Sequence, residues 1–224
     1  MADAIVVERL SRHFGSKAAL AEVSLRISKG CVFCIAGPNG SGKTTLLNII
    51  AGVLAPSSGR CEVMKGLKVG YAYQHPKLSD ELTVGENISF FSQLNEGEEE
   101  WGRRMVEAMG LGELMDENAD ELSSGTRKRL EVAVALLHNP DVVLLDEPTT
   151  GLDVESKEGI LQLIKLFRKN GKTVVIATHQ LDDFSGVCDE LVILDKGRVA
   201  VEKGVKGFDG EKLLRVYSSA VSKD

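Results

Sequence analysis

The run Gly37-Pro38-Asn39-Gly40-Ser41-Gly42-Lys43-Thr44-Thr45 constrains this chain more than any other feature, because a G-x-x-x-x-G-K-[ST] string requires a strand before it and a helix after it. Both neighbours are present. Residues 31–36, CVFCIA, form an apolar run with the character of a buried strand, and in LLNIIAGVL the residues Leu46, Ile49, Ile50 and Val53 recur at helical spacing. In such a loop glycines let the backbone curl until successive N–H groups converge on phosphate oxygens, and the following helix adds its positive amino end. Lys43 is then placed to neutralise β- and γ-phosphates, and the Thr44 hydroxyl to ligate Mg2+. The motif reads as a nucleotide-binding loop.

The rest of the chain supplies a sheet for that loop. AIVVERL and AEVSLRI precede it with strand character, and LKVGYAY follows as a short alternating run. DVVLLDE, KTVVIATH and DELVILDKG are apolar throughout, and the helical stretch KEGILQLIKLFRKNG separates the first two. Strands that alternate with helices and are apolar on both faces predict an α/β fold with a mainly parallel sheet covered on both sides. A helical block interrupts this alternation. LTVGENISFFSQL and EEEWGRRMVEAMG read as helices, the second with Glu99 and Glu100 four residues before Arg103 and Arg104, and with Gly110 as its stop. Another helix begins after Ser123, carries Leu130, Val134 and Leu137 on one face, and ends at Asn139-Pro140. The expected organisation is a core of residues 1–81 and 139–224, with a helical subdomain of residues 82–138 inserted in it.

Asp146 and Glu147 end the strand VVLLDE, where a parallel sheet presents residues to a ligand beyond its carboxyl edge. Asp146 is placed to hold Mg2+ through water, and Glu147 to orient and deprotonate an attacking water. After a phosphate loop, this pair points to hydrolysis. Composition narrows the partners: 27 Lys+Arg against 33 Asp+Glu give a net charge of −6, which offers no basic field for nucleic acid. The content of 43% hydrophobic and 27% charged residues is that of a soluble globular domain. No stretch approaches the roughly 18 apolar residues a membrane span needs, and MADAIVVERL has no apolar signal region, so a cytoplasmic chain is expected. Cys31 and Cys34 make a C-x-x-C string, but three residues apart on a strand they point to opposite faces and read as small core hydrophobes.

Taken together, the motifs resemble the nucleotide-binding subunit of an ATP-binding cassette (ABC) transporter. GPNGSGKTT is similar to that family's phosphate loop, VVLLDEPTTGLD to its acidic strand and D-loop, and LSSGT to its LSGGQ signature. Tyr73-Gln74 resembles the Q-loop, and Ala177-Thr178-His179 the switch-histidine segment. The resemblance implies a RecA-like P-loop core with a small antiparallel β-region, hydrolysing ATP bound with Mg2+ between two chains placed head to tail. It implies that Phe14 stacks on adenine, that Gln74 touches Mg2+ and the attacking water, and that His179 contacts the γ-phosphate. By the same resemblance, Ser123 and Gly125 contact ATP on the opposite chain and Asp153 communicates across that interface. The implied partner is a transmembrane permease at the cytoplasmic face of the cell membrane. Leu78, Leu82 and Phe90 are candidates for its docking groove, or else pack the insertion's own core. LTVGENISFFSQL and LSSGTRKR look most like exporter subunits, with an ABC ATPase of metal-cluster assembly as the alternative. Two departures stand out. Ser124 and Thr126 replace the signature's glycine and glutamine, and the stretch from Lys43 to Gln74 is short for the family, which puts a full antiparallel β-region in question.

Overall fold

All five residues of strand β3 (Val32–Ala36) are apolar and buried, and that places it inside a six-stranded sheet. The computed structural model describes residues 2–72, 78–94 and 97–221 of the chain. The strand order is β5 (Val69–Ala72), β6 (Val142–Asp146), β7 (Thr173–Thr178), β3, β8 (Glu190–Asp195), β9 (Arg198–Gly204). The strands are parallel except β9, which runs antiparallel at the edge and has exposed residues between half-buried ones. Alternation then sorts the side chains. Phe33 and Ile35 pack with Leu144, Val175 and Val192 against helix α1 (Lys43–Ile50) and a second sheet, whereas Val32, Cys34 and Ala36 pack with Val143, Leu145 and Ile176 against helices α4 (Ser124–Ala135) and α5 (Val154–Lys169). The parallel sheet predicted from apolar runs is therefore covered on both faces.

The second sheet is antiparallel, in the order β2 (Lys17–Ser28), β1 (Asp3–Phe14), β4 (Ser58–Val63). The short stretch after the phosphate loop does not abolish the antiparallel region. Two of its three strands come from before the loop, and only β4 is drawn from the stretch that looked too short. Between β5 and β6 the chain forms α2 (Val84–Leu94), α3 (Glu99–Ala108) and α4, and α6 (Gly210–Ala220) packs against the 3-10 turn Leu181–Phe184 and β8.

Several local expectations change. The helix expected to reach Asn139-Pro140 stops at Ala135, and the Leu136 carbonyl accepts the Trp101 indole N–H at 2.8 Å and, in a tighter turn, the Asn139 amide at 3.2 Å. Pro140 explains this, since its ring would collide with that carbonyl four residues back in a continuing helix. Gly110 does end α3's turn, with φ +61. Of the expected ion pairs only Glu100–Arg104 forms, because Glu100 also takes Arg103 at 2.8 Å. Cys31 and Cys34 are buried on opposite faces of the sheet, and burial pushes the Cys31 thiol up to about 12. Leu78, offered as a docking residue, is buried among the core side chains.

Candidate active site

Three parallel strands deliver the site to one edge. Ala36 pairs with Thr178 across β3 and β7, and Asp146 with Ala177 across β6 and β7, so Gly37, Glu147 and His179 leave adjacent strands at the carboxyl end of the sheet. The loop Gly37–Gly42 can close there only as glycine-rich backbone. Gly37 has φ +154, and a Cβ on it would overlap the Leu194 carbonyl and Ser41 Oγ; Gly42 caps α1 at φ +106, where a Cβ would lie 2.6 Å from the Ala19 carbonyl. No side chain caps α1, which leaves its first N–H groups to a ligand.

Lys43 is buried, and its Nζ donates to the carbonyls of Gly37 (2.8 Å) and Pro38 (3.2 Å) while lying 3.6 Å from Glu147 Oε1. Burial lowers the Lys43 pKa, against the attraction of Glu147 and Asp146. Glu147 follows β6 with φ +48, and its amide donates to the Ala177 carbonyl at 2.9 Å. This left-handed turn ends the strand. Glu147 Oε2 accepts from His179 Nδ1 at 2.8 Å and from the Thr150 hydroxyl at 3.0 Å. An ionised carboxylate can only accept, so in this contact the His179 Nδ1 is the donor.

Asp146, next to it, is 1% exposed, and its Oδ1 has no hydrogen-bond partner among the described residues. Burial pushes its pKa up, while hydrogen bonds from the Thr44 and Tyr71 hydroxyls pull it down. Among the described residues no cluster of three or more His, Cys, Asp or Glu is placed to hold a metal. An unpartnered carboxylate oxygen beside a threonine hydroxyl nevertheless suits Mg2+, which takes one or two protein oxygens and completes its shell with water and phosphate. Phe14, half exposed, lines a cavity of about 450 Å³ together with Asn39, Gly40, Lys43, Thr44, Thr45 and Glu147. That volume suits a nucleotide-sized ligand.

The sequence profile described as ABC transporter matches residues 20–150. The chain belongs to the ATP-binding subunits of ABC transporters. Members of this family hydrolyse ATP, and the chain is accordingly an ATPase. It is 34% identical over 198 residues to an uncharacterized ABC transporter ATP-binding protein of Methanocaldococcus jannaschii, covering 87% of this chain and 75% of that one. It is 33% identical to the daunorubicin resistance ATP-binding protein DrrA3 of Streptomyces coeruleorubidus (90% and 69% covered) and 35% identical to the sulfate/thiosulfate import ATP-binding protein CysA of Synechococcus elongatus (87% and 61%). Among solved structures it is similar to a nucleotide-free ATP-binding cassette, with TM-score 0.83, 28% identity and 97% and 96% of the two chains covered. It is also similar to a bacterial cassette in dimeric form, with TM-score 0.80, 28% identity and coverages of 91% and 100%.

The residues expected from the sequence to act across an interface form a second cluster. Ser123 caps α4, its Oγ accepting from the Thr126 amide at 3.2 Å and lying 3.0 Å from the Thr126 hydroxyl, which also accepts from Arg129 Nη2 at 3.1 Å. Thr126, at the family's glutamine position, is thus tied into the cap. Asp153 caps α5, accepting from the Ser156 amide at 2.8 Å and the Ser156 hydroxyl at 3.0 Å. Gly125 packs against that cap so closely that a Cβ on it would overlap Ser156 Oγ. Neither Ser123, Gly125 nor Asp153 lines the phosphate-loop cavity. Glu147 borders both that cavity and a smaller one of about 220 Å³ beside Ser124 and Leu152. Gln74 lies outside the described residues. Sequence reasoning passed over Thr150 and Tyr71, which hold the two carboxylates. The hydroxyl three residues after Glu147 was the available signal for the first, and nothing local marks the second.

Proposed function

We propose that two copies of this cassette, or one copy and a related subunit, close head to tail around ATP and Mg2+ and drive a transmembrane permease that exports its cargo. The observation that carries the reading is the division of site residues into two clusters. Lys43, Asp146, Glu147 and His179 meet at the phosphate-loop cavity, while Ser123, Gly125 and Asp153 lie outside it. A γ-phosphate in the loop is therefore enclosed when a second chain supplies its α4 amino end. The dimeric relative supports this arrangement.

In this reading the amides and side chains of Gly37–Thr45 hold the phosphates, and Lys43 exchanges its two carbonyl partners for β- and γ-oxygens. Phe14 carries the adenine. Thr44 and Asp146, with Gln74, hold Mg2+, which when bound offsets phosphate charge. Glu147 takes the proton of the attacking water, steadied by the Thr150 hydroxyl, and His179 hands over from Glu147 to the γ-phosphate. The core of residues 1–81 and 139–224 carries the first cluster except Gln74's placement, which is not described, and the insertion of residues 82–138 carries the signature and the face toward the permease. Phe90 and Leu94, exposed on α2, are the apolar residues proposed to meet the permease in place of Leu78. A relative named for Nod factor export in Rhizobium etli supports export, whereas the one named for sulfate import acts in the other direction. Among the described residues no helix is long and apolar enough to cross a membrane, so attachment to the cytoplasmic face is assigned to the permease. Metal-cluster assembly is not favoured, because the relatives are transporter subunits.

Glu147→Gln tests the reading. It keeps the side chain's shape and removes the base, and turnover should fall by about 10²–10⁴. Sedimentation of this variant should show a dimer with ATP and a monomer without it. Unchanged turnover, or one mass in both conditions, would refute the reading.

A further inference from the structure

The Phe14 ring has a charged backing. Arg12, two residues earlier on the same face of β1, holds its guanidinium carbon 4.7 Å from the ring centroid. The guanidinium is anchored by Nη1, which donates to the Ala55 carbonyl at 3.0 Å, beyond the end of α1. Its Nε is buried and has no hydrogen-bond partner among the described residues, so the ring's negative π-face is the compensation available on that side. The backbone around it is fixed too: the Ser57 amide donates to the Ser11 carbonyl at 2.8 Å, and the His13 amide donates to the Ser57 hydroxyl at 3.1 Å. Phe14 lines the phosphate-loop cavity and Arg12 does not.

We propose that Arg12 is a positioning residue for the nucleotide base, a fixed cation that holds the Phe14 ring upright and draws π-density from it, so that the ring's other side presents a preset platform to adenine. The inference rests on the reading of Phe14 as the base-stacking residue. An exposed phenylalanine loses rotamer freedom when a base stacks on it, and a ring already held by Arg12 has less freedom to lose. The effect runs through the ring and not through the phosphates, because Arg12 reaches none of the phosphate-loop residues through any hydrogen bond described for it.

The test compares ATP with inorganic triphosphate, which has the phosphates and no base, by titration calorimetry of the full chain. Arg12→Met keeps an apolar stem and removes the cation. It should weaken ATP binding about two- to fivefold, the range of an exposed cation–π contact, and leave triphosphate binding unchanged. Arg12→Lys, which keeps a cation and is milder for folding, should lie between the parent and Arg12→Met. In a Phe14→Ala background Arg12→Met should have no further effect. Equal losses for ATP and triphosphate would overturn the proposal in favour of simple attraction between charges, as would an undiminished Arg12 effect without the ring. If Phe14→Ala itself leaves ATP affinity unchanged, the stacking reading falls and this proposal with it; a Phe14 effect without an Arg12 effect overturns the proposal alone.

Discussion

Gly125→Ala is expected to destabilise the cassette even with no nucleotide present. The signature glycine is the second residue of α4, and a Cβ there would overlap Ser156 Oγ and lie 2.9 Å from Ser156 Cβ and 3.2 Å from Asp153 Oδ2. Rotating the serine hydroxyl away relieves the first contact, at the expense of its hydrogen bond to Asp153, but it cannot relieve the second. The amino ends of α4 and α5 must therefore separate by a few tenths of an ångström. Forcing an extra methyl into packed structure costs about 1–3 kcal/mol. Replacing glycine by alanine in a helix returns at most about 1 kcal/mol. At the middle of the first range, about 2 kcal/mol, the overlap wins, leaving a net loss of about 1–2 kcal/mol and a fall in melting temperature of about 2–8 °C for a chain of this size. Thermal denaturation without ATP measures it. In a Ser156→Gly background, which removes both close atoms, the Gly125→Ala penalty should shrink. If Gly125→Ala leaves the melting temperature unchanged or raises it, or if the penalty is the same without the serine side chain, the packing explanation is wrong and the glycine serves only an approaching ligand.

Asp146→Asn should abolish turnover and yet stabilise the ligand-free protein, by on the order of 1 kcal/mol, because burial is the largest influence on this carboxylate and one of its oxygens is unpartnered. Its pKa is raised in the folded state, so the unfolded chain releases the proton first and stability falls as pH rises from the ordinary value of 3.8 through the folded one. The gain should therefore be full at pH 7 and vanish in acid; a lower melting temperature at pH 7 would contradict it. Trp101→Phe removes the indole bond to the Leu136 carbonyl and weakens the contact with Lys172 Nζ, 4.4 Å from the ring, and should cost about 1–3 kcal/mol in denaturant unfolding. An unaltered midpoint would mean that α3 is not anchored there. Phe90→Glu, on an exposed ring, should keep the melting temperature and basal ATP hydrolysis while reducing co-purification with membranes, and undiminished co-purification would place the permease elsewhere.

The phosphate loop, the acidic strand end and the apolar strands were legible in the sequence because each rests on local chemistry. Converging amides need Gly37, Gly40 and Gly42, a strand buried on both faces needs an unbroken run such as VVLLD, and the helix after Ser123 starts at a side-chain cap. Other features depended on distant partners. Nothing in its own stretch says that Leu78 is buried, that the Leu136 carbonyl meets the Trp101 indole, or that the antiparallel sheet borrows two strands from before the loop. The same holds inside the site. Periodicity and spacing brought Lys43, Asp146 and Glu147 to one edge, but the Tyr71 hydroxyl beside Asp146 and the Ala55 carbonyl that anchors the Arg12 guanidinium gained their roles only from the packing around them. Backbone conformation and one-face burial follow from neighbours along the chain. A hydrogen bond or a ring contact between residues dozens of positions apart has no periodicity to announce it, and only the folded sheet, by bringing the ends of β3, β6 and β7 side by side, decides which side chains meet.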